Sequence, residues 1–195
     1  MNLPNKLTVS RLLLTVCFVI ALTLDQVLPL AHSLAALFFI VAAITDWLDG
    51  YLARKYHLIT SFGKLMDPLA DKVLMCAGFV MLSDLHLIPG WMVVAILTRE
   101  FLVTGLRLVA SAEGVVLAAE SLGKHKTIWQ VITLIYFLIY LARDEPLFAW
   151  MDFLYHWKVT GIAITGVFLL WLTLALTVVS GLSYAWKNRK LLADM

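Results

Sequence analysis

The sequence predicts an all-α membrane protein with six transmembrane helices, and three observations support this fold class. The chain has 195 residues, 62% hydrophobic and only 14% charged, and its mean hydropathy is +0.91, whereas a soluble domain is nearer half apolar and a quarter charged. Several apolar runs approach the ~20 residues that a helix needs to cross a bilayer. These runs are unbroken, whereas the strands of a membrane barrel alternate apolar and polar residues.

The predicted spans follow one another with short connections. The first begins after Pro4, a residue tolerated at a helix start. The third follows Gly63, with Pro68 in its first turn, where proline is also tolerated. The fifth is short and could extend toward Lys124. We find no internal repeat or soluble appendage and expect one membrane domain over 1–195. The six spans are 7–28, 34–52, 65–83, 91–110, 128–141 and 159–184.

The distribution of lysine and arginine predicts the orientation. With six spans, most basic residues fall near the termini, the 2–3 loop and the 4–5 loop, whereas the opposite loops hold only Arg143 and Lys158. Because positive charge is retained inside, we expect both termini in the cytoplasm and the chain in the cell (inner) membrane. A basic rim suits anionic lipid headgroups, so membrane lipids are predicted partners and nucleic acid is not.

Four aspartates lie where the second span ends and the third begins. Asp46 and Asp49 are three residues apart, and Asp67 and Asp71 are four apart. Residues at these spacings share a helix face. All four carboxylates are therefore expected at one depth, near the cytoplasmic surface.

Four neighbouring carboxylates repel one another unless a positive charge holds them. Mg²⁺ and Mn²⁺ prefer oxygen ligands, and two such ions suit displacement at phosphorus. We therefore predict a site for two Mg²⁺ or Mn²⁺ ions. Acids near helix ends can instead be solvated interfacial groups, although ionisable residues within membrane segments are functional candidates by default.

The intervening residues fit a phosphate ligand. Gly50 and Ala53 leave room against the second helix, and Arg54 offers a planar fork that matches phosphate. Gly63 can turn the chain into the third helix.

The motif resembles a known family. D46-x-x-D49-G50-x-x-A53-R54, eight further residues and G63-x-x-x-D67-x-x-x-D71 match the signature of the CDP-alcohol phosphatidyltransferases at every fixed position. The resemblance implies a six-helix membrane domain, a homodimer, and attack of an alcohol on the β-phosphorus of a CDP-linked lipid with release of CMP.

The resemblance also implies roles for the motif residues. Asp46, Asp49 and Asp67 correspond to metal ligands. Asp71 is shared between the second metal site and the general base that takes the proton of the attacking hydroxyl, for which it must come within ~3 Å of that group. Gly50, Ala53, Arg54 and Gly63 are assigned to the nucleotide and its pyrophosphate.

Three further segments indicate the acceptor alcohol. NLPNKLTVSR, REFLVTGLRLVAS and GKHKT resemble the bacterial members that join CDP-diacylglycerol to sn-glycerol 3-phosphate. A phosphorylated acceptor needs cations of its own, and we assign Arg107, Lys124 and Lys126 to its phosphate.

Residues outside the signature carry weaker expectations. Asn5 and Thr8 are predicted to reach the nucleotide phosphates. Arg11 could do the same, or could extend to the lipid headgroups. Arg99, next to Glu100, could contact the substrate or form an internal ion pair.

Other functions remain open at this point. The same chemistry could use inositol phosphate, serine or phosphatidylglycerol as the acceptor. A divalent-cation transporter is a further alternative, although transporters bind their ions near the midplane and at repeated halves. Here the acids lie at one edge, and the second half of the chain has no matching set.

Overall fold

The computed structural model describes residues 3–55, 61–112, 121–155, 158–159 and 162–189. Within them the chain forms six α-helices, one 3-10 helix and one short antiparallel strand pair, β1 with β2. The elements are α1 Leu3–Thr23, α2 Ala31–Lys55, α3 Ser61–Asp84, α4 Gly90–Ala112, α5 Ser121–Ala142, the 3-10 helix Ala149–Tyr155, β1 Lys158–Val159, β2 Ile162–Ala163 and α6 Ile164–Lys187.

The helical fold class is confirmed, and three of the predicted bounds need correction. The first helix ends at Thr23 rather than at residue 28. The fifth helix begins at Ser121 rather than at residue 128, because a polar turn containing Lys126 continues the apolar helix. The sixth helix begins at Ile164. Val159, Ile162 and Ala163 of the predicted span belong instead to the strand pair, in which Val159 faces Ile162.

Three of the described helices could cross a membrane by length and composition: Asn5–Thr23, His125–Ala142 and Ile164–Lys187. A shorter apolar segment occupies Ala31–Asp46 of α2. These helices agree with a membrane protein.

The core lies where α1, α2, α3 and α5 meet. Phe18 of α1 and Phe39 of α2 are fully buried, with ring centroids 5.6 Å apart. Gly78 of α3 lets the helices approach closely, because a Cβ there would lie 3.0 Å from Leu134 and 3.2 Å from Phe39. Small residues have this role between helices in lipid, where van der Waals packing drives association.

A buried polar seam joins α5 to α6. The hydroxyls of Thr133 and Thr173 are 2.7 Å apart, and Thr173 also donates to the carbonyl of Trp129 at 3.2 Å. Further along the seam, the amide nitrogen of Gln130 donates to the hydroxyl of Thr177 at 3.4 Å. Such hydrogen bonds hold α5 in a defined rotation against α6.

A carboxylate caps α2 at the opposite end of the bundle from the aspartate motif. Glu145, which follows α5, accepts a hydrogen bond from the His32 amide at 3.1 Å and another from the Ser33 amide at 2.8 Å. These amides belong to the first turn of α2, where helices leave N–H groups without partners and favour negative charge. The cap therefore fixes the helix that carries Asp46.

Candidate active site

The aspartate motif spans the last turns of α2 and the first turns of α3. The Asp46 carboxylate is partly exposed, and its Oδ1 lies 2.5 Å from a guanidinium nitrogen of Arg11 on α1. Arg11 is fully buried, so it does not extend to the membrane surface. It neutralises an acidic residue of the motif.

Several predicted site residues lie in these helices, but their side chains are outside the described part of the structure. Their backbone positions follow the helices, so the register of the motif is known. They are Asp49, Gly50, Ala53 and Arg54 of α2, Gly63 and Asp67 of α3, and Lys124 of α5.

Asp71 lines a cleft of about 460 Å³ between α3, α4 and α5. The predicted phosphate ligands Arg107 and Lys126 line the same cleft. Asp71 is also within electrostatic range of Asp46 and Arg11. The structure thus brings the proposed base together with two of the three cations assigned to the acceptor.

Glu100 organises the inner part of the cleft. Its Oε1 pairs with the buried Lys126 ammonium group, accepts from the Gln130 amide at 3.4 Å, and lies 3.6 Å from a guanidinium nitrogen of Arg99. Arg99 therefore forms the internal ion pair, and its side chain packs on α6, since a Cβ at Gly181 would lie 2.7 Å from its Cγ. Lys126 lines the cleft, and its ammonium group is paired there with the Glu100 carboxylate.

Arg107 lies about two turns further along α4, at an exposed position. Its Nε donates to the Tyr184 hydroxyl of α6 at 3.2 Å, and the guanidinium lies 5.4 Å from the centroid of the Tyr184 ring. Among the described residues, Arg107 makes no other hydrogen bond, ion pair or ring contact. The two terminal nitrogens can therefore still form the fork that binds phosphate.

Asn5 and Thr8 lie on the buried face of α1. Thr8 is fully buried and Asn5 nearly so, one and two turns before Arg11. Asn5 and Thr8 thus lie on the same side of α1 as Arg11, which contacts Asp46.

Three contacts near the site were not predicted from sequence. Glu100 pairs with Lys126, Tyr184 holds Arg107, and Arg11 pairs with Asp46. Glu100 could have been identified from the sequence, because a charged residue inside an apolar helix is a candidate for a functional role. No sequence signal indicated Tyr184, which lies near the end of α6, a helix of ordinary apolar composition.

The donor atoms of the described motif residues suit a hard divalent cation. Asp46 and Asp71 supply carboxylate oxygens, and the buried guanidinium paired with Asp46 is consistent with an acidic centre that needs positive charge. No group of three metal-binding side chains occurs among the described residues. The side chains of Asp49 and Asp67, which would complete the set, lie outside the described part of the structure.

Comparison with known proteins agrees with the motif. The family profile described as CDP-alcohol phosphatidyltransferase matches residues 1–179. The chain is 41% identical to a CDP-diacylglycerol–glycerol-3-phosphate 3-phosphatidyltransferase of Bacillus subtilis (strain 168), with 96% of this chain and 95% of the relative covered. It is 38% identical to a protein of the same name from Rickettsia bellii, over 94% and 93% of the two chains.

A third relative is the "Probable phosphatidylglycerophosphate synthase" of Mycobacterium tuberculosis (strain ATCC 25618 / H37Rv), which is 41% identical over 72% of this chain and 68% of its own. The profile match covers most of the chain, including the whole aspartate motif. This chain therefore belongs to the CDP-alcohol phosphatidyltransferase family.

Proposed function

We propose that this protein transfers the phosphatidyl group of CDP-diacylglycerol to sn-glycerol 3-phosphate, forming phosphatidylglycerophosphate and releasing CMP. The observation that carries the proposal is the shared cleft, which Asp71, Arg107 and Lys126 line together. The names of the relatives from Bacillus subtilis and Rickettsia bellii describe the same reaction. The protein is thus a transferase of phospholipid biosynthesis.

In this proposal Asp71 is the general base. Its carboxylate accepts the proton of the attacking hydroxyl, which then bonds to the β-phosphorus while CMP departs. Proton transfer of this kind contributes roughly 10²- to 10⁴-fold to a rate. Since the hydroxyl attacks directly, no covalent enzyme intermediate forms.

Asp46, Asp49, Asp67 and Asp71 are the proposed ligands of two divalent ions, Mg²⁺ or Mn²⁺. When bound, such ions neutralise the charge that develops on the pyrophosphate and on the attacking oxygen. Arg54, Gly50, Ala53 and Gly63, together with Asn5 and Thr8, are proposed to receive the nucleotide and its phosphates.

Arg107 and Lys124 are the proposed cations for the acceptor phosphate, with Lys126 deeper in the cleft. The guanidinium of Arg107 is held by Tyr184 through Nε, so its fork is oriented in advance. An oriented cation loses less freedom on binding its ligand.

The chain is further proposed to be a single six-span membrane domain with both termini in the cytoplasm. The distribution of lysine and arginine supports this orientation. It brings the cleft to the side from which a water-soluble acceptor arrives, while the lipid substrate enters from the bilayer. A homodimer is the assembly that the family resemblance implies.

The test is CMP release by the purified protein in detergent with CDP-diacylglycerol, Mg²⁺ and competing acceptors. Glycerol 3-phosphate should be preferred over serine, inositol phosphate and phosphatidylglycerol. Preference for an unphosphorylated alcohol would contradict the phosphate role of the cleft cations.

Asp71→Asn should lower kcat by roughly 100-fold or more, because the amide accepts no proton. Asp84→Asn is the matched control, since Asp84 lies at the other end of the same helix and is exposed. It should keep wild-type kcat. Equal rates for the two variants would remove Asp71 from the base role.

A further inference from the structure

The carboxylate of Glu100 uses only one of its two oxygens. Lys126, Gln130 and Arg99 all contact Oε1. Within the described residues, the hydrogen bonds and ion pairs of this carboxylate are all formed at Oε1 and none at Oε2. A side chain held this firmly through one oxygen presents the other in a fixed direction.

The second oxygen belongs to a side chain that lines the cleft. Glu100 and Asp71 both line it, and so do Arg107 and Lys126. The Glu100 side chain is 17% exposed, so a small ligand in the cleft can reach it. The cleft therefore contains one carboxylate assigned to the chemistry and a second one without a role in it.

A carboxylate accepts hydrogen bonds and donates none, so Glu100 repels a phosphate and attracts a hydroxyl. Arg107 lies seven residues further along α4, which is about 10 Å at the rise of an α-helix. An acceptor with its phosphate at Arg107 therefore directs its hydroxyl end toward Glu100 and Asp71. Glycerol 3-phosphate has two hydroxyls on adjacent carbons, and only one of them attacks.

We propose that Glu100 is a specificity-determining residue whose Oε2 accepts a hydrogen bond from the hydroxyl of the acceptor that does not react. Lys126, Gln130 and Arg99 position this carboxylate through Oε1. The inference rests on the proposed function and extends it, because it explains why the enzyme takes a vicinal diol phosphate rather than any phosphorylated alcohol. A hydrogen bond to a charged group discriminates by roughly 10- to 100-fold.

The test compares two acceptors, glycerol 3-phosphate and 3-hydroxypropyl phosphate, which lacks the central hydroxyl. Wild-type protein should prefer glycerol 3-phosphate by roughly 10- to 100-fold in kcat/KM. Glu100→Gln should reduce this preference to a few-fold. The glutamine carbonyl remains with Lys126, and the cleft then receives an N–H donor in place of the carboxylate oxygen.

The ratio of the two kcat/KM values is measured on one preparation of each variant. The fraction of folded protein affects both values equally and therefore does not change the ratio. Glu100→Asp is the second variant in case the glutamine variant does not fold. It keeps the charge but withdraws the carboxylate by one methylene, and it should also lose most of the preference. Thr104→Val is the matched control because Thr104 lines the same cleft, but its hydroxyl already donates to the Glu100 carbonyl at 2.8 Å. The ratio of kcat/KM for the two acceptors should be the same for Thr104→Val as for the wild type.

Three outcomes would overturn the inference. Wild-type protein could use both acceptors equally well. Folded Glu100 variants could lose activity toward both by the same factor, which would make Glu100 only a counter-ion of Lys126. The Thr104 variant could change the ratio as much as the Glu100 variants do. Failure of the proposed function is a different result, namely no CMP release by wild-type protein with glycerol 3-phosphate.

Discussion

Glu100, near the middle of α4, and Glu145, after the end of α5, are two carboxylates of nearly equal exposure. Their side chains are 17% and 16% exposed. Both oxygens of Glu145 accept from backbone amides of α2, at 3.1 and 2.8 Å, whereas every contact of the Glu100 carboxylate is made by side chains at Oε1 among the described residues.

The difference separates a structural acid from a candidate ligand-binding acid. A helix N-terminus offers fixed donors to both oxygens, so a carboxylate there is saturated by the fold. Side-chain partners on α4 and α5 hold Glu100 through Oε1, and Glu100 lines the cleft. Burial alone would not distinguish the two residues.

Among the changes outside the aspartate motif that follow, the largest effect is expected from Arg107→Gln. Loss of the guanidinium should raise the KM for glycerol 3-phosphate roughly 10- to 100-fold, because a hydrogen bond to a charged group is lost, while the KM for CDP-diacylglycerol stays near wild type. Steady-state CMP release at varied acceptor concentration measures both.

The control for Arg107 is Arg143→Gln. Arg143 lies at the opposite end of the bundle and also packs on a tyrosine, with its guanidinium 4.0 Å from the Tyr140 ring centroid. Its loss should leave both KM values unchanged. An equal rise in acceptor KM for the two variants would show a general effect of charge.

Glu145→Gln tests the other side of the comparison. The amide keeps one acceptor and loses the charge at the helix N-terminus, so the free energy of unfolding should fall by about 1–2 kcal/mol. Thermal unfolding in detergent should show a lower Tm, while the kcat/KM of the folded protein remains at the wild-type value. A selective loss of acceptor affinity would contradict the structural role.

The same cap predicts acid sensitivity. Burial acts to raise the pKa of the Glu145 carboxyl, but hydrogen bonds from Ser33 and from the His32 amide outweigh it and hold the pKa below its usual value. A carboxyl group whose pKa is lower in the folded than in the unfolded protein stabilises the fold. This stabilisation is complete above the pKa of the unfolded state, about 4.3 for glutamate, and is lost as the pH falls through the pKa of the folded state.

The Tm of the wild type should therefore decrease below about pH 5 more steeply than that of Glu145→Gln. The titratable group that faces this carboxyl is the His32 ring, whose Nδ1 lies 3.2 Å from Oε1, and the other ring nitrogen lies 3.9 Å from Asp25. Parallel Tm curves for the two proteins would show that Glu145 is not the group responsible.

The smallest effect is expected from Tyr184→Phe. The variant keeps the ring beneath Arg107 and removes the hydroxyl that accepts from Nε at 3.2 Å. The donor is a charged guanidinium, but it is exposed, so water can replace much of the lost hydrogen bond. A net loss of about 1 kcal/mol is expected, and the acceptor KM should therefore rise a few-fold with kcat nearly unchanged. A change in kcat without a change in KM would mean that Tyr184 does not act through Arg107.

The sequence alone determined the helical membrane fold class, the aspartate motif and the family. Apolar runs of membrane length predict helices because a chain in lipid must satisfy its own backbone hydrogen bonds. The spacing of Asp46, Asp49, Asp67 and Asp71 follows from helix periodicity, a local property. The assignment of Arg107 and Lys126 to the acceptor depended on the resemblance and on their predicted positions at the cytoplasmic ends of the fourth and fifth spans.

Only the tertiary structure decided which side chains meet. Glu100 contacts a lysine 26 residues away, and Glu145 caps a helix more than 110 residues away. Such contacts depend on the rotation of each helix about its axis, which the packing of neighbours such as Gly78 against Leu134 sets. Hydrophobic periodicity was a weak guide to that rotation, since lipid-facing and core-facing positions are both apolar. For this reason, the sequence did not distinguish the two glutamates. In the structure, Glu145 caps α2 and Glu100 lines the cleft.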